Sequence, residues 1–78
     1  MRFNYAKLKG RIKEKYGTQE AFAKAIGLTP TTISFKINGK AKFTQDEIVK
    51  AVELLEISRD EITEYFFNYK VQVLEPNN

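Results

Sequence analysis

The sequence contains no cysteine and no histidine. Without cysteine there is neither a disulfide nor a thiolate nucleophile. With histidine missing as well, the usual zinc ligands and the usual general base are gone. Small folds often rely on such staples, because a short chain buries only a modest core. At 78 residues there is room for one domain and one core, and enzymatic function is disfavoured. No apolar run approaches the roughly 20 residues that a membrane helix needs, and the Met1 end lacks the apolar stretch of a signal peptide. The expected compartment is the cytoplasm. A 42% hydrophobic and 29% charged composition is that of a folded domain, so disorder is expected only at the ends.

Acidic residues are scarce in one part of the chain. Residues 1–42 hold only Glu14 and Glu20 against ten Lys or Arg, a balance of +8, whereas residues 43–78 hold eight acids against three bases, a balance of −5. A protein that binds a polyanion would turn the basic half toward phosphate and the acidic half away. Solvated helix faces with chance clustering would give the same counts.

Helix punctuation is dense. Asn4 is positioned to cap a first helix in which Tyr5, Leu8, Ile12 and Tyr16 recur at three- and four-residue spacing, ending near Gly17. Thr18 caps a second helix, Gln19 to Ile26, with Phe22, Ala23 and Ile26 on one face and Gly27 as its stop. Thr29-Pro30 opens a third helix, since proline is preorganised for the first helical position, and Asn38-Gly39 closes it. Thr44 with Glu47 forms a capping box flanked by Phe43 and Ile48, and Ser58 with Glu61 repeats it between Ile57 and Ile62. Ile48, Val52 and Leu55 give the fourth helix its apolar stripe, and Ile62, Tyr65 and Phe66 give the fifth. The expectation is an all-α domain of five short helices over residues 1–67. From Phe67 into a C-terminal tail, 68–78, Phe67, Tyr69, Val71 and Val73 alternate with Asn68, Lys70, Gln72 and Leu74 as in an extended strand.

Only Gly27, Leu28 and Thr29 separate the second and third helices, which is helix-turn-helix spacing. Gly27 can take the left-handed backbone conformation, and Ala23 is small enough for a close crossing. With Gln19, Ala23, Gly27 and Ile33 at these places, the sequence resembles the lambda-repressor-like, Cro/repressor family of phage and bacterial DNA-binding domains. The resemblance covers roughly residues 5–66 and implies a five-helix fold with the third helix in the major groove. One departure is Lys36, where the family usually carries an apolar residue; Ile37 beside it is apolar instead.

Helical geometry assigns the outward face without the family. With Ile33 and Ile37 inward, about 100° per residue turns Phe35 outward, then Thr31 and Thr32, with Ser34 and Lys36 on the flanks. Thr reaches base edges and Phe a thymine methyl, so Thr31, Thr32, Ser34 and Phe35 are base-reading candidates. The alternatives are a solvated first turn for the threonines and burial of Phe35 against a neighbouring helix. The resemblance implies phosphate contacts at Thr18, Gln19, Asn38, Lys40 and Lys42, with Lys36 on the flank. The helix N-terminal N–H groups at Gln19 agree with that. Lys9, Arg11 and Lys13 would add only long-range attraction. The carboxylate pairs Asp46-Glu47 and Asp60-Glu61 fall in first helical turns, where they complement the helix dipole.

These features point to a non-enzymatic transcriptional regulator of Cro/repressor type, from a phage or prophage, without cofactor, metal, small-molecule ligand or membrane contact. Its expected partners are a pseudo-palindromic double-stranded operator, a second copy of itself paired through Tyr69, Val71 and Val73, and another phage regulator. For the tail, packing onto its own domain or fraying beyond Tyr69 is the competing expectation. Two rival functions stand beside this one: a protein-interaction module of antirepressor or antitoxin-like kind on the same fold, and a small hydrolase, disfavoured by the missing His and Cys.

Overall fold

Thr18, Thr29 and Thr44 each accept a hydrogen bond on the side-chain oxygen from the backbone N–H three residues on, at 3.0 to 3.1 Å. Each starts a helix at the expected residue. The computed structural model describes residues 2–67 and 69–70. In chain order it contains β1 (Arg2–Phe3), α1 (Ala6–Tyr16), α2 (Gln19–Ile26), α3 (Pro30–Ile37), α4 (Gln45–Leu54), a 3-10 turn (Arg59–Glu61) running into α5 (Ile62–Phe66), and β2 (Tyr69–Lys70). Asn4 serves the start of α1, its Oδ1 accepting from the Ala6 N–H at 2.9 Å. Ser58 and Glu61 form the second capping box, and the Glu61 N–H bonds the Ser58 carbonyl at 2.9 Å, tightening this turn to 3-10 geometry.

Gly27 takes the left-handed conformation at φ 85°, and its own N–H and that of Leu28 both donate to the Ala23 carbonyl at 2.9 Å. Both bonds end on that one carbonyl, the Gly27 N–H also reaches the Lys24 carbonyl at 3.3 Å, and the chain turns into α3. α2 is the central element, touching α1, α3 and α4, while α5 lies against α1. Phe22, Leu8, Ile12, Ile33, Leu55 and Phe66 form the fully buried centre, with Ala23 wholly enclosed among them. On α4 the burial differs from the expected stripe: Ala51 and Leu55 are buried, while Ile48 and Val52 are half-buried. α4 meets the core at its small residue, which lets it approach α2 closely and leaves its larger residues toward the edge.

Side-chain contacts at both ends hold α1 in place. Arg11 donates from Nε to the Leu55 carbonyl at 2.8 Å and from a terminal nitrogen to the Glu56 carbonyl at 3.2 Å, Tyr16 donates to the Leu54 carbonyl, and Lys15 pairs with the Glu56 carboxylate. α1 thereby caps the C-terminus of α4, where Glu56 sits at φ 54°. At the other end, Lys7 pairs with Glu64 and lies over the Tyr65 ring, 4.9 Å from its centroid.

β1 and β2 form a two-stranded antiparallel ladder, Arg2 opposite Lys70 and Phe3 opposite Tyr69. The pairing foreseen for a second copy is made, as far as Tyr69 and Lys70, within the chain itself. Val71 and Val73 lie outside the described residues.

Two glycines make opposite tests of the fold. A Cβ at Gly10, inside α1, would meet nothing within 4 Å. Gly10→Ala is therefore expected to stabilise by about 0.5–1 kcal/mol, whereas Gly27→Ala is expected to cost about 1–2 kcal/mol because of its positive φ. Ala23→Leu is expected to cost about 1–3 kcal/mol by overpacking. Urea denaturation of the three variants checks all these signs.

Candidate functional site

The turn after α2 aims α3 so that Ile33 and Ile37 are buried and the opposite face meets solvent. Thr31 is exposed, and Phe35 is 49% exposed, so its ring is not taken up by a neighbouring helix. Thr32 and Ser34 are half-buried and engaged locally: Thr32 Oγ1 accepts from the Thr29 hydroxyl at 2.9 Å, and Ser34 Oγ accepts from Asn38 Nδ2 at 3.3 Å. Of the four base-reading candidates, Thr31 and Phe35 present the most surface.

The expected phosphate-contacting residues precede and follow α3 in the chain. Before α3, Thr18 caps α2 and half-buried Gln19 opens it, beside a cleft of about 230 Å³ lined also by Lys9, Ile12, Lys13 and Gly17. After α3, exposed Asn38, Lys40 and Lys42 follow on a loop held by the Lys40 N–H bond to the Phe35 carbonyl at 2.8 Å. Other cations of the basic half serve the fold, Lys7, Arg11 and Lys15 each pairing with a glutamate.

Lys36 departs from its expected phosphate role. It is 8% exposed, and its Nζ donates to the Lys42 carbonyl at 2.7 Å and to Glu47 Oε1 at 2.8 Å. The same Glu47 oxygen accepts the Thr44 N–H at 2.9 Å, closing the α4 capping box. Lys36 also lies over the Phe43 ring at 5.9 Å from its centroid. A buried ammonium must be paired, and this one is paired inward. Lys36 thus buries its stem and anchors α3 to the start of α4. Burial alone would raise the Glu47 carboxyl, but the hydrogen bonds from Lys36 and Thr44 and the Lys36 charge outweigh it and hold the pKa below the ordinary value.

Sequence reading missed that pair and also a row of aromatic rings. Phe67 meets Phe3 edge-on at 6.3 Å, Phe3 stacks near Tyr5 at 5.9 Å, and Phe43 stands edge-on to both Tyr5 and Phe66 at 5.5 Å. The available signal was Phe3-x-Tyr5 ahead of the first helix, an alternation too short to stand out. Among the described residues, no cluster of His, Cys, Asp or Glu is placed to hold a metal ion, and no helix is long and apolar enough to cross a membrane.

Residues 1–69 match the protein family described as "Protein of unknown function (DUF739)". The chain belongs to that family. Among solved structures it is similar to the solution structure of the modulator of repression (MOR) of the temperate bacteriophage TP901-1 from Lactococcus lactis. The two are 49% identical, with a TM-score of 0.77 over 92% of this chain and 97% of the other. No curated protein matches. At that identity the likeness covers the all-α body of this family member, and the expected fold class holds.

Because the Glu47 pKa is depressed, its contribution to stability is fully present above the ordinary glutamate range and is lost as pH falls through the lower folded value. Glu47→Gln should flatten the fall in stability below about pH 5, measured by thermal melts across pH. Glu47→Ala, which strands the Lys36 ammonium, is expected to cost about 3 kcal/mol at pH 7.

Proposed function

We propose that this protein is a phage regulator that modulates a repressor by contacting it, using a helix-turn-helix scaffold as a protein-interaction module. The observation that carries this reading is the 49% identity, over nearly the whole chain, to a phage modulator of repression. The internal pairing of basic side chains supports it too, since Lys7, Arg11, Lys15 and Lys36 each pair with a glutamate of the chain and thin the field that a DNA backbone would meet.

Direct operator binding is the second reading. It is favoured by the exposed Thr31 and Phe35 on α3 and by the exposed Lys40 and Lys42 that follow them in the chain. In that reading a homodimer spans two half-sites, with α3 in each major groove. Regulation follows from concentration and occupancy, with no ligand or cofactor.

The two separate in one titration. Fluorescence anisotropy is run on duplexes from the phage's own regulatory region with this protein alone, with the phage repressor alone, and with both. The expected result is no sequence preference for this protein alone and a change of about tenfold or more in the repressor's operator affinity when it is added. Sequence-specific binding by this protein alone would decide for the operator reading. In that event Phe35→Ala should shift base preference by about 1–3 kcal/mol, and Lys40→Ala should weaken all sequences alike and lower the salt slope by about one.

A further inference from the structure

Two clefts open side by side along the N-terminal edge of the fold, sharing Phe3 and Tyr5 as the wall between them. One, of about 400 Å³, is bounded by α1 and the end of α3, with Lys9, Ile37 and Asn38 in its lining. The other, of about 380 Å³, has an apolar floor that includes Phe43, Ile48 and Phe66, with Lys42 and Phe67 beside it. Each is of a size that accepts a large side chain or a comparable organic group. Among the described residues no Asp or Glu lines either cleft, while each has a lysine in its wall. Phe67 is 44% exposed and Phe3 36% exposed at this edge.

We propose that this double cleft is the docking groove for an acidic, amphipathic segment of a partner protein, whose apolar anchors enter the two clefts and whose carboxylates face Lys9 and Lys42. The proposal rests on the repressor-contact reading and names the surface and the chemistry of that contact. Charge complementarity selects the occupant: a rim that carries Lys9 and Lys42 and, among the described residues, no carboxylate repels a basic segment and attracts an acidic one. Exposed aromatic rings over an apolar floor are the composition of a protein-interface core. A DNA backbone would meet the two lysines but leave Phe67 and the floor at Phe43, Ile48 and Phe66 without a counterpart. A second copy of this chain is itself net basic at +3, and four of its ten acids, Glu14, Glu47, Glu56 and Glu64, are already paired internally.

The test uses the full chain, ¹⁵N-labelled, and three probes. These are a short peptide with Leu and Phe on one helical face and Glu on the other, its Lys-for-Glu counterpart, and a duplex DNA. The acidic peptide is expected to bind roughly tenfold or more tighter than the basic one, shifting the amides of Phe3, Tyr5, Gly39 and Phe67. Phe67→Ser, and separately Lys9→Glu with Lys42→Glu, are expected to weaken it about tenfold while thermal melts stay unchanged, because all three residues are exposed and outside the core. Equal binding of the two peptides, or shifts centred on Thr31 and Phe35, overturns the proposal. Displacement of the peptide by duplex DNA, or the same shifts appearing with protein concentration alone, overturns it in favour of a nucleic acid or a second copy. The same variants in the repressor titration tell the two readings apart. If they leave an effect on the repressor intact, this groove is the wrong surface and the repressor reading stands. If the unmodified protein binds the acidic peptide but has no effect on the repressor, the groove stands and the repressor reading falls.

Discussion

Phe22 and Ala23 occupy the one stretch of chain on which every other packing decision rests. Both are wholly buried, on the inner face of α2, the helix that α1, α3 and α4 all touch. A large ring beside a minimal side chain lets one helix fill the centre and still be crossed closely. With no disulfide available, this packing carries the stability of the fold, because few other large side chains are fully enclosed. The orientation of α3 follows from the same constraint. The Gly27 turn fixes how α3 leaves α2, and Ile33 and Ile37 fix which side faces in.

Most of the fold was legible because the signals that start and stop these helices are local. Thr18, Thr29, Thr44 and Ser58 bond partners within three residues, and such contacts are written in the order of the chain. The outward turn of Thr31 and Phe35 was legible for a similar reason, since helical geometry alone separates them from Ile33 and Ile37. The Lys36–Glu47 pair was not. It joins residues from different helices, and a lysine next to an isoleucine reads as surface until the packing shows which carboxylate stands beside it. The row of rings from Phe67 to Phe66 is equally non-local, assembled from both ends of the chain and from the loop before α4. The choice between DNA and protein as partner could not be read from the outward face of α3, because short hydroxyls and an exposed ring suit either.

The charge asymmetry has a double character in three dimensions. On α1 the cations alternate between structural and open positions. Lys7, Arg11 and Lys15 reach carboxylates or helix-end carbonyls, while Lys9 and Lys13 line surface clefts. The acidic C-terminal half thus serves in part as the counter-charge of the basic N-terminal half. A formal count of +8 and −5 therefore overstates the field that a partner meets at distance.

The ladder between Arg2–Phe3 and Tyr69–Lys70 joins the two most distant parts of the described chain, whereas the packing of α1 on α2 and of α2 on α3 joins neighbours. Contacts between neighbours form quickly, whereas the packing of α5 on α1 and the ladder each close most of the chain, and the ladder does so with only two residue pairs of backbone bonding. Its free energy of opening therefore lies near the low end of the molecule's range, far below that of the helical core. Phe3 and Phe67 flank this ladder, so the aromatic edge is held by fewer backbone bonds than the helices behind it. Anything that grips both rings at once acts as a clasp on the ends of the chain and slows its opening without touching the helices that hold it together.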